Sequence, residues 1–199
     1  MAELILYAAS ILFLILVLRH LPPRVPEKVL EEEKAKEKKE DGEDRPETAE
    51  DKEIKADKLA EENKLKSAEK IYLALIVDNP QEARFYNKLG LVYLKDKAYK
   101  DARDALKQAL TVEPDNDTFY NNLGLIDYQE EKFDEAVEAY EKSIDINNTV
   151  SSRFVNLGLA YYMQKKYRKA ADAYEKALIL EPANEEYRRL LQEVEEKLK

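Results

Sequence analysis

From about residue 83 the chain alternates apolar and polar positions with a helical period. Tyr86, Leu89 and Tyr93 lie on one stripe, and Tyr99, Ala102, Leu106 and Ala109 lie on the next. Spacings of three and four place each set on one side of an α-helix, so the pattern predicts helices over about 83–95 and about 99–111. The same two-helix phrase then returns. Its anchor, a Leu-Gly pair, stands at Leu89-Gly90, Leu123-Gly124 and Leu157-Gly158, each 34 residues from the last. Ahead of this region the pattern is different. Leu4 to Leu18 carries no charge, glycine or proline, and a long Glu- and Lys-rich stretch separates it from the periodic part.

Around each Leu-Gly pair the same side-chain types recur. An aromatic precedes the leucine by three (Tyr86, Tyr120, Phe154), and another opens the second helix (Tyr99, Phe133, Tyr167). A small residue follows (Ala102, Ala136, Ala170), then a large one (Leu106, Tyr140, Tyr174), then a second small one (Ala109, Ser143, Ala177). Pro114 and Pro182 close two of the copies, where proline ends the helix and turns the chain. This phrase resembles the tetratricopeptide repeat, whose period is about 34 residues. The resemblance implies an all-α, right-handed superhelical solenoid of antiparallel helix pairs, here called A and B.

The repeating register divides the chain into units at 83–116, 117–150 and 151–184, with a worn copy at 49–82. In that copy Leu65, Ala68, Tyr72, Leu75 and Pro80 fit, but Ala56 replaces the glycine and Lys55 the leucine. A polar terminal unit is what a solenoid needs where its end meets water. Residues 185–199 are expected to form a capping helix through the stripe Tyr187, Leu190, Leu191, Val194 and Leu198. Glycine in mid-helix costs about 1 kcal/mol relative to alanine. Its return at 90, 124 and 158 predicts a neighbouring backbone too close for a β-carbon. Asp127, in an aromatic position, and Asn147-Asn148, in place of the proline turn, are expected to loosen packing locally.

Residues 1–20 are expected to form a transmembrane anchor. The apolar run with its leading residues spans about 27 Å as a helix at about 1.5 Å per residue. That is just enough for a hydrocarbon core of about 30 Å once flanking residues snorkel. A cleavable signal peptide would want basic residues before the run and a small-x-small site after it. Only Glu3 precedes it, and Arg19-His20-Leu21-Pro22-Pro23 follows. A buried core helix would need apolar surroundings that the rest of the chain does not supply. Arg19, Arg24 and Lys28 flank the run on its C-terminal side, so the positive-inside rule places the repeats in the cytoplasm. Residues 21–48 read as a flexible linker. Prolines 22, 23 and 26 open it, and few large apolar side chains follow Leu30 to offset the entropy of ordering.

Charged residues make up 38% of the 199, and the net charge is −9. That balance argues against nucleic acid as a partner, because phosphate neutralisation needs a basic face. There is no cysteine and one histidine, His20, at the edge of the apolar run. Thiol and Ser-His arrangements are therefore not available to the repeats, and no metal or cofactor site is expected. Of four glycines, three belong to the repeat phrase and Gly42 lies in the linker, leaving none for a phosphate-cradling loop. The expectation is a non-enzymatic protein.

In the family that the repeats resemble, A-helix residues line a concave groove for a peptide or partner helix. Carried over by register, that implies a groove of Asn87, Lys88, Leu91 and Lys95, then Asn121, Asn122, Leu125 and Tyr128, then Asn156, Leu159 and Tyr162. Leu91, Leu125 and Leu159 form an apolar strip; Lys88, Asn122 and Asn156 stand in equivalent places as a polar ladder. The alternative is that the leucines only pack between A helices. The basic residues of the family's carboxylate clamp are missing at Asn87, Leu91, Ser152 and Asn156, which disfavours a chaperone-tail adaptor. The expected function is a membrane-tethered scaffold that binds a protein or peptide. A self-associating organiser of a membrane assembly, homo-oligomeric in that case, and a receptor component for protein import or export are the alternatives.

Overall fold

The computed structural model describes residues 46–199. Among the described residues there are nine α-helices and no strand: α1 Ala49–Glu61, α2 Leu65–Asp78, α3 Ala83–Lys95, α4 Tyr99–Val112, α5 Asp117–Gln129, α6 Phe133–Ile146, α7 Ser151–Met163, α8 Tyr167–Leu180 and α9 Glu185–Glu196. The first eight pair as hairpins, with α1, α3, α5 and α7 as A helices and their successors as B helices. The anchor expected at 1–20 lies outside the described residues, as does the linker expected at 21–48 but for its last three residues. Among the described residues no helix is long and apolar enough to cross a membrane. Thr48, read as the end of the linker, caps α1. Its hydroxyl accepts from Asp51 N at 3.2 Å while its own N–H donates to Asp51 Oδ2 at 3.0 Å, a reciprocal capping box.

Each hairpin turns through one residue in the left-handed region: Asn63, Lys97, Glu131 and Lys165, at φ of 60° or 61°. The residue after each closes the helix end. Lys64, Ala98, Lys132 and Lys166 donate their N–H five residues back, to Leu59, Tyr93, Asp127 and Tyr161. This is the Schellman arrangement, usually built on glycine, and here none of the four is glycine.

The close contact at the repeated glycines differs from the expectation. A β-carbon on Gly124 would sit 2.7 Å from the Tyr140 ring, and one on Gly158 would strike the Tyr174 ring. Only Gly90 faces backbone, Ala102 O at 3.2 Å, together with Leu106 Cγ at 3.1 Å. The glycines are thus seats for the large B-helix side chain of their own unit. Leu106, Tyr140 and Tyr174 are in consequence fully buried, each worth about 1.5–3 kcal/mol of burial for a large side chain, and Tyr72 is fully buried in the unit where Ala56 replaces the glycine. The small residues Ala102, Ala109, Ala136, Ser143, Ala170 and Ala177 are buried beside them.

The places expected to be loose are bonded. At the α6–α7 turn Arg153 takes the buried register position held by Phe85 and Phe119, and pairs with Asp117 at the start of α5. Its guanidinium also donates to Asn147 O at 3.2 Å, and Asn147 Nδ2 donates to Asp117 Oδ2 at 3.1 Å. A polar clamp stands where other copies have proline. The last helix, α9, lays Tyr187, Leu190 and Leu191 against the final core cluster with Val194 fully buried; Leu198 lies beyond the helix and is exposed.

Candidate peptide-binding groove

The A helices make the inner face, since α3 meets α5 and α5 meets α7 directly, whereas successive B helices make no comparable contact. That inner seam changes character along its length. Between α1 and α3 it is ionic: Arg84 pairs with Glu53 at 3.1 Å, and Lys88 donates to both Asp57 oxygens at 3.0 and 2.8 Å. Lys95 donates to Ala60 O at 2.5 Å, satisfying a carbonyl at the end of α1. From α3 onward amide pairs enter the seam, alongside the Arg153–Asp117 ion pair between α5 and α7. Asn122 Nδ2 donates to Asn87 Oδ1 at 2.7 Å, and Asn156 Nδ2 donates to Asn121 Oδ1 at 3.0 Å.

These bonds relocate the expected polar ladder. Lys88, Asn122 and Asn156 occupy equivalent places, but each is bonded across to the preceding A helix, at Asp57, Asn87 and Asn121 respectively. Asn87 and Asn122 are buried with their amides joined. Leu91, Leu125 and Leu159 are half-buried, so each offers part of its side chain outward. Leu91 lines a cavity of about 290 Å³ with Asp57, Ala60, Glu61, Lys88 and Lys95. Tyr128 stacks edge-on to Phe133, and Tyr162 edge-on to Tyr167, each with centroids 5.5 Å apart. Tyr162 also donates its hydroxyl to Glu193 at 2.9 Å, tying α7 to α9.

One functional-looking cluster was not legible in the sequence. Asp127, buried, accepts from Arg103 Nε at 3.1 Å, and Arg103 Nη2 bonds both Asp127 and Glu130. Burial raises the Asp127 carboxyl although the guanidinium opposes it. Glu130, nearer to water, is held below its ordinary value by the hydrogen bond from Arg103. The partner lies 24 residues back, and so does the partner of the aromatic in the same register one unit earlier, Tyr93, which bonds Glu69 at 3.1 Å. An interval of 24 shared by these two copies was the signal that could have found it; in the third copy Tyr161 bonds Glu141 instead, 20 residues back. The cluster is a junction between units, and Asp127 also borders a hollow of about 260 Å³ with Tyr120, Leu123, Glu135, Glu138 and Lys142. Among the described residues no group of three or more His, Cys, Asp or Glu is placed to hold a metal ion.

A row of helical hairpins sharing one inner face defines a repeat solenoid. Residues 55–111 and 115–178 each match a family model described as tetratricopeptide repeat, and the chain belongs to that family. No curated protein sequence matches it. Solved structures similar to it include a crystal structure of MamA, 22% identical with a TM-score of 0.65, covering 71% of this chain and 83% of that one. Another is the first TPR of Spaghetti (RPAP3) bound to the HSP90 peptide SRMEEVD, 24% identical with a TM-score of 0.57, covering 59% and 94%. A third is the Sgt2 TPR domain from Aspergillus fumigatus, 25% identical with a TM-score of 0.56, covering 59% and 79%. These likenesses are of fold.

Proposed function

We propose that the inner face binds a protein or peptide segment, without catalysis, and that apolar contact supplies most of the affinity. The observation that carries this is the half-buried strip Leu91, Leu125 and Leu159, bordered by Tyr128 and Tyr162. Concave apolar surface with few polar groups is the usual form of a binding site. The similar Spaghetti domain, bound to an acidic HSP90 peptide, lends support to peptide binding in general. The groove lysines here are engaged, Lys88 by Asp57 and Lys95 by α1 carbonyls, which favours an apolar or amphipathic segment over a carboxylate tail. The repeats are further proposed to be tethered through residues 1–20 and to face the cytoplasm, on the apolar run and its basic flank. A photo-crosslinking residue at position 128 is expected to trap the partner. Trapping no better than from position 107, on the exposed side of α4, refutes the groove. Protease protection of the repeats in sealed membranes tests the orientation.

A further inference from the structure

Among the described residues the first hairpin carries three of the seven large apolar side chains left exposed, Ile54, Leu73 and Val77, and the second and third hairpins carry none. Leu73 and Val77 stand one turn apart on the outer side of α2, 44% and 79% exposed, with Ala74 between them. The same register is charged or polar in the next two units: Lys107, Gln108 and Thr111 on α4, then Glu141, Lys142 and Asp145 on α6. On α8 it reads Glu175, Lys176 and Ile179, so only α2 joins the last position to an apolar residue one turn before it. Lys70 in turn stands where the other units have Asp104, Glu138 and Asp172. The exposed face of α2, made of Lys66, Ser67, Lys70, Leu73, Ala74 and Val77, thus holds no carboxylate, whereas each later B helix exposes two or more there. The carboxylates bordering it are matched: Glu69 and Asp96 by Lys66 at 3.1 and 3.2 Å, and Asp78 by Lys52 at 3.3 Å. Charge therefore neither selects an occupant for this face nor repels one.

We infer that the outer side of α2 rests on the surface of the bilayer that holds the chain, an inference that builds on the proposed tether at residues 1–20. The tether selects the occupant. A linker over residues 21–45, taken as a coil, spans about 28 Å on average, at about 5–6 Å times the square root of its length. The described fold begins at its end, and α1 with α2 is the first hairpin reached. Tethering over so short a linker sets an effective concentration of about millimolar. A contact too weak to hold a free protein then suffices, and Leu73, Ala74 and Val77 supply one, sinking to the headgroup boundary while Lys66 and Lys70 stay in water. A second copy fits less well, because a stable dimer needs about 800 Å² from each partner, more than these three side chains expose. Because α1 packs on the opposite side of α2, this seating leaves the inner face open to its partner.

The chain has no cysteine, so a nitroxide can be attached at one chosen position. Ala74→Cys and Gln108→Cys, the same register on α4, are labelled in the full chain and reconstituted into neutral phosphatidylcholine vesicles. Collision with a water-soluble nickel chelate is expected to fall by about half at position 74 relative to 108, the occupancy that a millimolar contact reaches at a millimolar effective concentration. Adding Leu73→Glu and Val77→Asp, the residues that α6 bears at Glu141 and Asp145, is expected to return position 74 to the level of 108. Both sites are exposed, so the double variant does not threaten the fold. Equal collision at 74 and 108, or shielding that survives the double substitution, overturns the proposal. Shielding that grows with the ratio of protein to lipid assigns the face to a second copy and overturns it too. Flotation with the vesicles after a carbonate wash reads the tether separately. Retained flotation with an open position 74 overturns the docking alone, and lost flotation overturns both. The inner-face reading survives every one of these outcomes.

Discussion

Lys97, Glu131 and Lys165 hold a backbone conformation that costs an L-residue about 1–2 kcal/mol. Replacing any of them by glycine removes that cost and adds some unfolded-state entropy, so each is expected to raise stability by about 0.5–1 kcal/mol. A shift of the urea midpoint at constant slope checks this. The glycines inside the A helices behave in the opposite way. Gly158→Ala gains helix propensity but drives a methyl into the Tyr174 ring, and a net loss of about 1–2 kcal/mol is expected from overpacking. Gly90→Ala, facing contacts at 3.1 and 3.2 Å, is expected to cost distinctly less. The sequence revealed that something crowds these glycines. It did not reveal that the crowding group is a side chain from the same unit, because a Gly-to-Tyr interval of 16 residues says nothing about which way the ring lies.

Between elements, the junction that places Tyr93 against Glu69 places Asp127 against Arg103 one unit later. Arg103→Met strands a buried carboxylate and is expected to cost about 3 kcal/mol. Combining Arg103→Glu with Asp127→Tyr rebuilds the earlier junction, leaving Glu130 to Lys132, which already bonds it at 3.1 Å. The double variant is therefore expected to recover most of what either single change loses, and a double-mutant cycle by thermal unfolding measures the coupling. Helix existence and limits were readable, and α3 at Ala83–Lys95 and α4 at Tyr99–Val112 lie within a residue of the periodicity's bounds. Pairing across units was not. The Asn122–Asn87 and Asn156–Asn121 bonds span 35 residues, one more than the period, so aligning equivalent positions conceals them. Asn147-Asn148 looked like a defect because Arg153, which completes its clamp, hides in a position that reads as apolar.

Across the whole repeat array, buried tyrosines set the alkaline limit. Burial, as the leading cause, raises Tyr72, Tyr140, Tyr161 and Tyr174 above the ordinary phenol value of 10.0. The unfolded chain ionises at that ordinary value while the folded chain resists. Stability is therefore complete below pH 10.0 and is lost as pH rises through the raised folded values. Phenolate absorbance and loss of helical circular dichroism are expected to rise together in that window, and tyrosine ionisation well before helix loss contradicts it.

The inner seam has a mechanical consequence. Its first rung rests on charges partly open to water, Lys88 with Asp57 and Arg84 with Glu53, while later rungs rest on the buried Asn122–Asn87 amides, the part-buried Asn156–Asn121 amides and the largely shielded Arg153–Asp117 pair. Screening length falls to about 3 Å at 1 M salt, so added salt weakens the first rung and spares the others. The array is then a spring of unequal coils. Pulled from its amino-terminal end, it yields at α1 and α2 first, and brine makes that end softer still while the far coils keep their stiffness.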